Sequence, residues 1–244
     1  MKNKKSGFTL GEVLLAVAIV GLIAALTIPN LNKNINEDKN ISLLKSTMSQ
    51  LSTAVSKVVA EYGNNENAAK SCGESKTAGQ CYGDILTSFL NVRKNCTINV
   101  AECFSTEPML DVDGETIDDI MNASSKCDYT FILSNGVAVC IRNPNYITGN
   151  VLGKFDIDVD GPNAGPNMRG VDNFDLVADE DGVSYFDRCT YYLEGFKVDK
   201  GCSRDTDRGY DSSYDSVAWA FLNGNMDYLR CADQLKWHSK KTCD

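Results

Sequence analysis

Residues 7–29 read GFTLGEVLLAVAIVGLIAALTIP, an apolar run interrupted by one acid, Glu12, and preceded by a short leader that carries Lys2, Lys4 and Lys5. Coiled as an α-helix rising about 1.5 Å per residue, Phe8 to Ile28 would cover roughly 31 Å, close to the thickness of a bilayer's hydrocarbon core. The run predicts a single membrane-spanning helix. It does not end like a secretory signal peptide, because Thr27, Ile28, Pro29 and Asn30 stand where a small-residue cleavage site would be. A plain signal anchor leaves Glu12 unexplained, since a charge held in a membrane helix costs on the order of 3 kcal/mol unless something pairs with it.

The chain can make that partner itself. A cut between Gly7 and Phe8 would leave a new α-amine four residues before Glu12, one helical turn away. With a reference pKa of about 8 the amine is a cation at neutral pH, able to neutralise Glu12 within one chain or between neighbours.

On these residues the segment resembles the processing and assembly segment of type IV pilins and type II secretion pseudopilins. The resemblance implies that a prepilin peptidase cuts after Gly7, that Phe8 is then N-methylated, that Glu12 pairs with the Phe8 amine of an adjacent subunit, and that Pro29 bends the helix. It implies a pilin-like α+β fold, with a long N-terminal helix packed on an antiparallel sheet, and a structural subunit of a fibre, a minor pilin or pseudopilin, rather than an enzyme. The implied partners are other subunits, the peptidase and an inner-membrane assembly platform. The rival reading is a membrane-tethered adhesin or calcium-binding module that never polymerises.

The expected organisation is a leader (1–7), a transmembrane and assembly helix (8–29), an amphipathic continuation (30–62) and a disulfide-containing head (63–244). In the third part Ile41, Leu44, Met48, Leu51, Val55, Val58 and Tyr62 recur at steps of three and four, an apolar stripe that predicts packing on the head. The net charge of −9 becomes −12 once the leader lysines are removed. That balance argues against binding nucleic acid through its phosphates. Lysines before the span and none within it put the N-terminus in the cytoplasm and the head outside, in the periplasm or beyond.

Ten cysteines agree with an oxidising compartment: Cys72, Cys81, Cys96, Cys103, Cys127, Cys140, Cys189, Cys202, Cys231 and Cys243. No C-x-x-C occurs, which argues against a zinc ribbon or a thioredoxin-like centre. Neighbour pairing joins 72 with 81, 96 with 103, 127 with 140, 189 with 202 and 231 with 243, one of roughly 945 complete pairings. The pairs 189–202 and 231–243 are favoured and the connectivity is left open.

Gly63 to Gln80, polar and glycine-containing, predicts an exposed loop, and Tyr82 to Val92 a short helix. Thr116 to Ala123 predicts another helical turn, Lys200 to Asp215 a surface loop, and Val217 to Trp237 a return to helical spacing. Tyr129 to Arg142 predicts a hairpin about Asn135-Gly136, a type I′ dipeptide. In that register Cys140 faces Phe131, which argues against a direct cross-strand bridge to Cys127. Strands also follow from the alternation Phe155, Ile157, Val159 with Asp156, Asp158, Asp160, and from Val171 to Leu176 beyond a Gly/Pro/Asn-rich loop. In pilin-like proteins a similar hairpin-and-loop pattern places Asp158, Gly161, Gly165, Pro166, Asn167, Gly170, Asp172 and Phe174 on matching positions, with Asp160 where Asn is usual.

DIDVDG (156–161) starts like an EF-hand loop, but Asn167 holds the twelfth position where a bidentate Glu is needed. A two-loop calcium site would draw on Asp156, Asp158 or Asp160 with Asp172 or Asp175, and some pseudopilins bind calcium in head loops. The plainer reading of the same acids is a solvated face and turn chemistry. His238 is the single histidine, and neither a nucleophile elbow nor a zincin motif occurs, so no catalytic constellation is expected.

Overall fold

The structure is a computed structural model that describes residues 10–112, 114–116, 127–142, 151–179, 182–185, 190–193, 196–199 and 213–243. The chain divides into two units, residues 1–39 and 40–244. Helix α1, Leu10–Tyr62, contributes to both. Within the second unit the expected stripe is the buried one: Ile41, Leu44, Leu51, Ala54, Val55 and Val58 lie in the main core, with Met48 and Tyr62 packed against it. Gly63, at φ +83°, closes the helix by donating its N–H to Val59 O.

The segment after it is not the exposed loop that its polar composition suggests. It forms α2 (Asn65–Lys70) and the start of α3 (Ala78–Ser88), so α3 begins four residues earlier than the apolar spacing indicates. Both helices have caps: the Asn64 side chain accepts the Asn67 N–H, and Thr77 and Gln80 form a reciprocal capping box. Ala68 and Ala69 are buried in the main core, and a disulfide joins Cys72 to Cys81. Two small apolar residues and a bridge anchor a segment whose average polarity reads as loop.

Six antiparallel strands follow in sequential order: β1 (Val92–Thr97), β2 (Cys127–Leu133), β3 (Ala138–Arg142), β4 (Val151–Asp158), β5 (Asn173–Asp179) and β6 (Gly182–Tyr185). A separate pair, β7 (Thr190–Leu193) and β8 (Phe196–Asp199), forms a hairpin. Period-two alternation splits the main sheet into two faces. One carries Tyr129, Phe131, Val139, Ile141, Phe155, Ile157, Phe174 and Leu176, which share the core with α1. The other carries Ile132, Ala138 and Cys140, covered by Cys96, Cys103, Phe104 and Met109 in a second, smaller cluster. Burial on both faces decides the fate of the aspartates: Asp156 and Asp158 are enclosed, not solvated.

The β2–β3 turn differs from the expected two-residue loop. Only Gly136 takes positive φ, at 95°, whereas a type I′ turn needs it at both central residues. Ser134, Asn135 and Gly136 form a three-residue connection closed by the Leu133 N–H to Val137 O bond. The register moves by one, so Cys140 lies opposite Thr130 rather than Phe131, and an irregularity between Cys127 and Tyr129 sets Cys127 opposite Arg142. Cys127 and Cys140 become diagonal neighbours on one face, and they are bridged, with Cα atoms 5.5 Å apart. The expectation against this bridge is corrected by turn length. Cys96–Cys103 and Cys231–Cys243 are also bridged; Cys189 and Cys202 lie outside the described residues, as do most of the helical turn expected at 116–123 and most of the loop at 200–215.

The C-terminal part adds α4 (Ser213–Asn223) and α5 (Tyr228–Cys231). Trp219 and Trp237 meet edge to face at 4.8 Å between ring centroids inside the main core, and the Tyr228 hydroxyl donates to Gly170 O.

Gly83 in α3 faces the Tyr129 ring so closely that an added Cβ would fall 2.2 Å from its Cγ. The ring cannot withdraw freely, because its hydroxyl donates to Asp84 Oδ1 and accepts from Asn95 Nδ2, both at 2.7 Å. Gly→Ala inside a helix normally stabilises by about 1 kcal/mol. Here Gly83→Ala is expected to destabilise by about 1–3 kcal/mol through overpacking, with Tm falling about 2–4 °C per kcal/mol in thermal unfolding. An unchanged or higher Tm would refute this packing.

Candidate functional site

Two regions carry the candidate functional residues. The first is the start of α1, where Leu10, Val13, Leu14, Leu15, Val17, Ile19, Val20, Leu22 and Ile23 are all exposed. These positions surround the helix on every side, in contrast to the one-sided stripe after Ile41. Glu12 lies in the first described turn of α1. Gly7 and Phe8 lie outside the described residues, and Pro29 falls in the stretch 24–35, whose side chains are likewise not described. Among the described residues no helix is long and apolar enough to cross a membrane; the expected span, 8–28, runs beyond the described side chains at both ends.

The second region is the aspartate face of β4 and β5. The candidate acids divide between two places. Asp156 on β4 stands opposite Asp175 on β5, and Arg142 at the end of β3 pairs with both, at 3.1 Å to Asp175. Arg169 adds a second guanidinium 3.2 Å from Asp175. Burial raises the Asp175 carboxyl, but Arg169, the hydrogen bond to Asp156 and Arg142 outweigh it and hold it well below the usual carboxylate range. Burial dominates at Asp156 and, against the pull of Arg142, pushes it up to about 7. Both of these acids, expected as candidate calcium ligands, are paired with arginines in the fold. One signal for this was present in the sequence: Arg142 shares the strand parity of Cys140, an inward position where a charge requires a partner.

Asp158, Asp160 and Asp172 gather instead at the loop 161–170, and two of them brace it. Asp158 Oδ1 accepts the Gly161 N–H at 2.9 Å, and Asp172 accepts the N–H groups of Asn167 (2.9 Å) and Met168 (2.7 Å). Asn167 carries the brace outward, donating from its side chain to Glu107 O at 2.7 Å and Pro108 O at 3.2 Å. Gly165 is required here, at φ +75°, since an added Cβ would lie 1.9 Å from Asp172 Oδ2. An open cleft of about 650 Å³ runs between this loop and residues 104–110. Among the described residues no group of three or more His, Cys, Asp or Glu side chains is placed to hold a metal ion.

Burial, then the hydrogen bond that the protonated Asp158 carboxyl donates to Asp160, push Asp158 up to about 8, and burial pushes Asp172 up to about 6. A carboxyl raised in the folded state keeps a proton that the unfolded chain has released above its ordinary value of 3.8. The stability from this proton is complete below that value and is lost progressively as pH rises to about 8. Asp175 acts in the opposite sense, favouring the fold above its ordinary range and losing its contribution as pH falls through its lowered value. Asp158→Asn is expected to flatten the fall in stability between about pH 4 and 8, a slope of at most about 1.4 kcal/mol per pH unit for one proton, in urea unfolding curves taken across that range. An unchanged slope would remove Asp158 as its source.

Comparison with known proteins bears on the first region. The prokaryotic N-terminal methylation motif matches residues 2–28. Over 83 residues the chain is 32% identical to the type IV major fimbrial protein FimA of Dichelobacter nodosus, a match that takes in 34% of this chain and 44% of that protein. The chain thus spans less than half the length of this curated relative. No solved structure matches. The chain is thus similar at its N-terminus to the prokaryotic N-terminal methylation motif and, over 83 residues, to a type IV fimbrial protein.

Proposed function

We propose that the protein is a structural subunit of a type IV pilus-like or type II secretion pseudopilus fibre, cut by prepilin peptidase between Gly7 and Phe8 and methylated on Phe8. The observation that carries this reading is the start of α1: large apolar side chains exposed on every side, with one acid, Glu12, in the first turn. A helix apolar all round needs lipid or other helices all round. Stored as a single-pass inner-membrane protein with its head outside, the subunit satisfies that need with acyl chains. In a fibre it does so with the α1 segments of neighbouring subunits, recruited through the assembly platform. Glu12 then sets the register, because a buried carboxylate without a partner is strongly penalised and the Phe8 amine of a neighbour supplies the counter-charge. The large, multiply bridged head favours a minor pilin or pseudopilin over the main fibre subunit.

Glu12→Ala is expected to leave cleavage after Gly7 intact while reducing the subunit in sheared fibre fractions at least tenfold, measured by immunoblot against total membrane protein. Normal incorporation of that variant would refute the role of Glu12. Mass spectrometry of the native N-terminus separates this reading from a tethered, non-polymerising adhesin: methylated Phe8 supports assembly and an intact Met1 supports the tether.

A further inference from the structure

Charge is unevenly placed on the head. The two segments that line the open cleft, residues 100–116 and 159–168, contain Glu102, Glu107, Asp111, Asp113, Glu115 and Asp160 and no Lys or Arg. Glu102 is paired with Lys94, whereas Glu107 and Glu115 are exposed and form no ion pair among the described residues. Pro108, Pro162, Ala164 and Pro166 add apolar surface to the cleft walls. The loop that carries the last three is held in shape by Asp158 and Asp172.

The opposite charge is gathered near the C-terminus. Residues 235–242, LKWHSKKT, carry Lys236, Lys240 and Lys241 and no acid, and no other six-residue run beyond the leader holds three Lys or Arg. The loop is rigid: the Cys231–Cys243 bridge closes it, Leu235 and Trp237 anchor it in the main core, and the Asn225 side chain donates to Lys241 O at 3.0 Å. The Lys236 N–H donates to Lys240 O at 2.8 Å, so these two lysines stand opposite each other, a placing of like charges that opposes folding and that an anion relieves. Lys236 and Lys241 are exposed and form no ion pair among the described residues. The loop lines no part of its own chain's cleft.

We propose that the loop 235–242 of one copy docks in the acid-rimmed cleft of a second copy, a contact between heads that repeats along the fibre. This rests on the reading of the protein as a fibre subunit. At a net charge of −9 the copies repel one another, so they approach closely only where opposite charges face. Cleft against cleft and loop against loop both bring like charges together, which leaves loop against cleft. A contact between two different patches of one chain is heterologous and can continue from copy to copy, as a fibre requires. Lysine ammonium groups meet the carboxylates of Glu107 and Glu115, while the lysine stems lie along the proline-rich walls. Because both surfaces are held rigid beforehand, docking orders little additional chain.

Charge reversal tests the contact in cells. Glu107→Lys with Glu115→Lys, and separately Lys236→Glu with Lys241→Glu, should each lower the subunit in sheared fibres at least fivefold at unchanged melting temperature. All four substitutions together should restore at least half of the loss. Full incorporation of both reversed pairs, or no recovery in the fourfold variant, overturns the proposal. A second arm needs no fibre: the full chain carrying Asn163→p-benzoylphenylalanine is purified in detergent, irradiated at low salt, and its cross-linked peptides are mapped by mass spectrometry. A cross-link between copies from position 163 to residues 235–242, lost at about 1 M salt where the screening length is about 3 Å, supports the contact. Monomer alone, or cross-links only to other segments, overturns it. Wild-type chain missing from fibres with that cross-link present would defeat the fibre reading and leave the contact; wild-type chain in fibres without it would do the reverse.

Discussion

The head depends on the burial of one helical stripe. Ile41, Leu44, Leu51, Val55 and Val58 have no aqueous alternative of comparable free energy, since each buried aliphatic side chain of this size contributes about 1.5–3 kcal/mol relative to exposure. The sheet face of Phe131, Val139, Phe155 and Phe174 answers that stripe, and Trp219 and Trp237 complete the same core. Because residues 96–109 cover the opposite face, the strands leave little room for unpaired charge, and the electrostatics follow from the packing.

That consequence is visible in the aspartates. An exposed row of acids on β4 would have been an ordinary solvated face. Enclosed, the row must be neutralised, and two solutions operate within a few residues of each other. Asp156 and Asp175 take the guanidinium groups of Arg142 and Arg169, whereas Asp158 and Asp172 accept backbone N–H groups and keep the loop 161–170 in place. The first solution buries ion pairs on a face that is otherwise apolar. The second makes the loop's shape depend on carboxylates that burial holds near the protonated state.

The two parts of α1 obey different demands. After Asn40 its apolar residues lie on one face and are satisfied inside the head. Before Ile23 they lie on all faces and are exposed, with Glu12 the one acid among them. Under the proposed function, lipid first and neighbouring helices afterwards supply the apolar surroundings that this part of the helix needs.

The N-terminal methylation motif was legible in the sequence because its information is one-dimensional: a run length and one acid at a fixed place in it. The α1 stripe was legible for the same reason, since a 3.6-residue period states which side is buried before anything is known of the partner. Strand alternation likewise marked β2 to β5. Tertiary structure alone decided three things. The helix α2 exists because Ala68, Ala69 and the Cys72–Cys81 bridge find a core that a polar average conceals. The β2–β3 register, and with it the Cys127–Cys140 bridge, follows from a backbone in which Gly136 but not Asn135 takes positive φ. The aspartates sort into arginine partners and loop braces because Arg142 and Asp175, 33 residues apart, meet across strands. Periodicity tells which side of an element turns inward, but which charge waits on the other side depends on the register between strands, a property of pairs of segments that neither one carries alone.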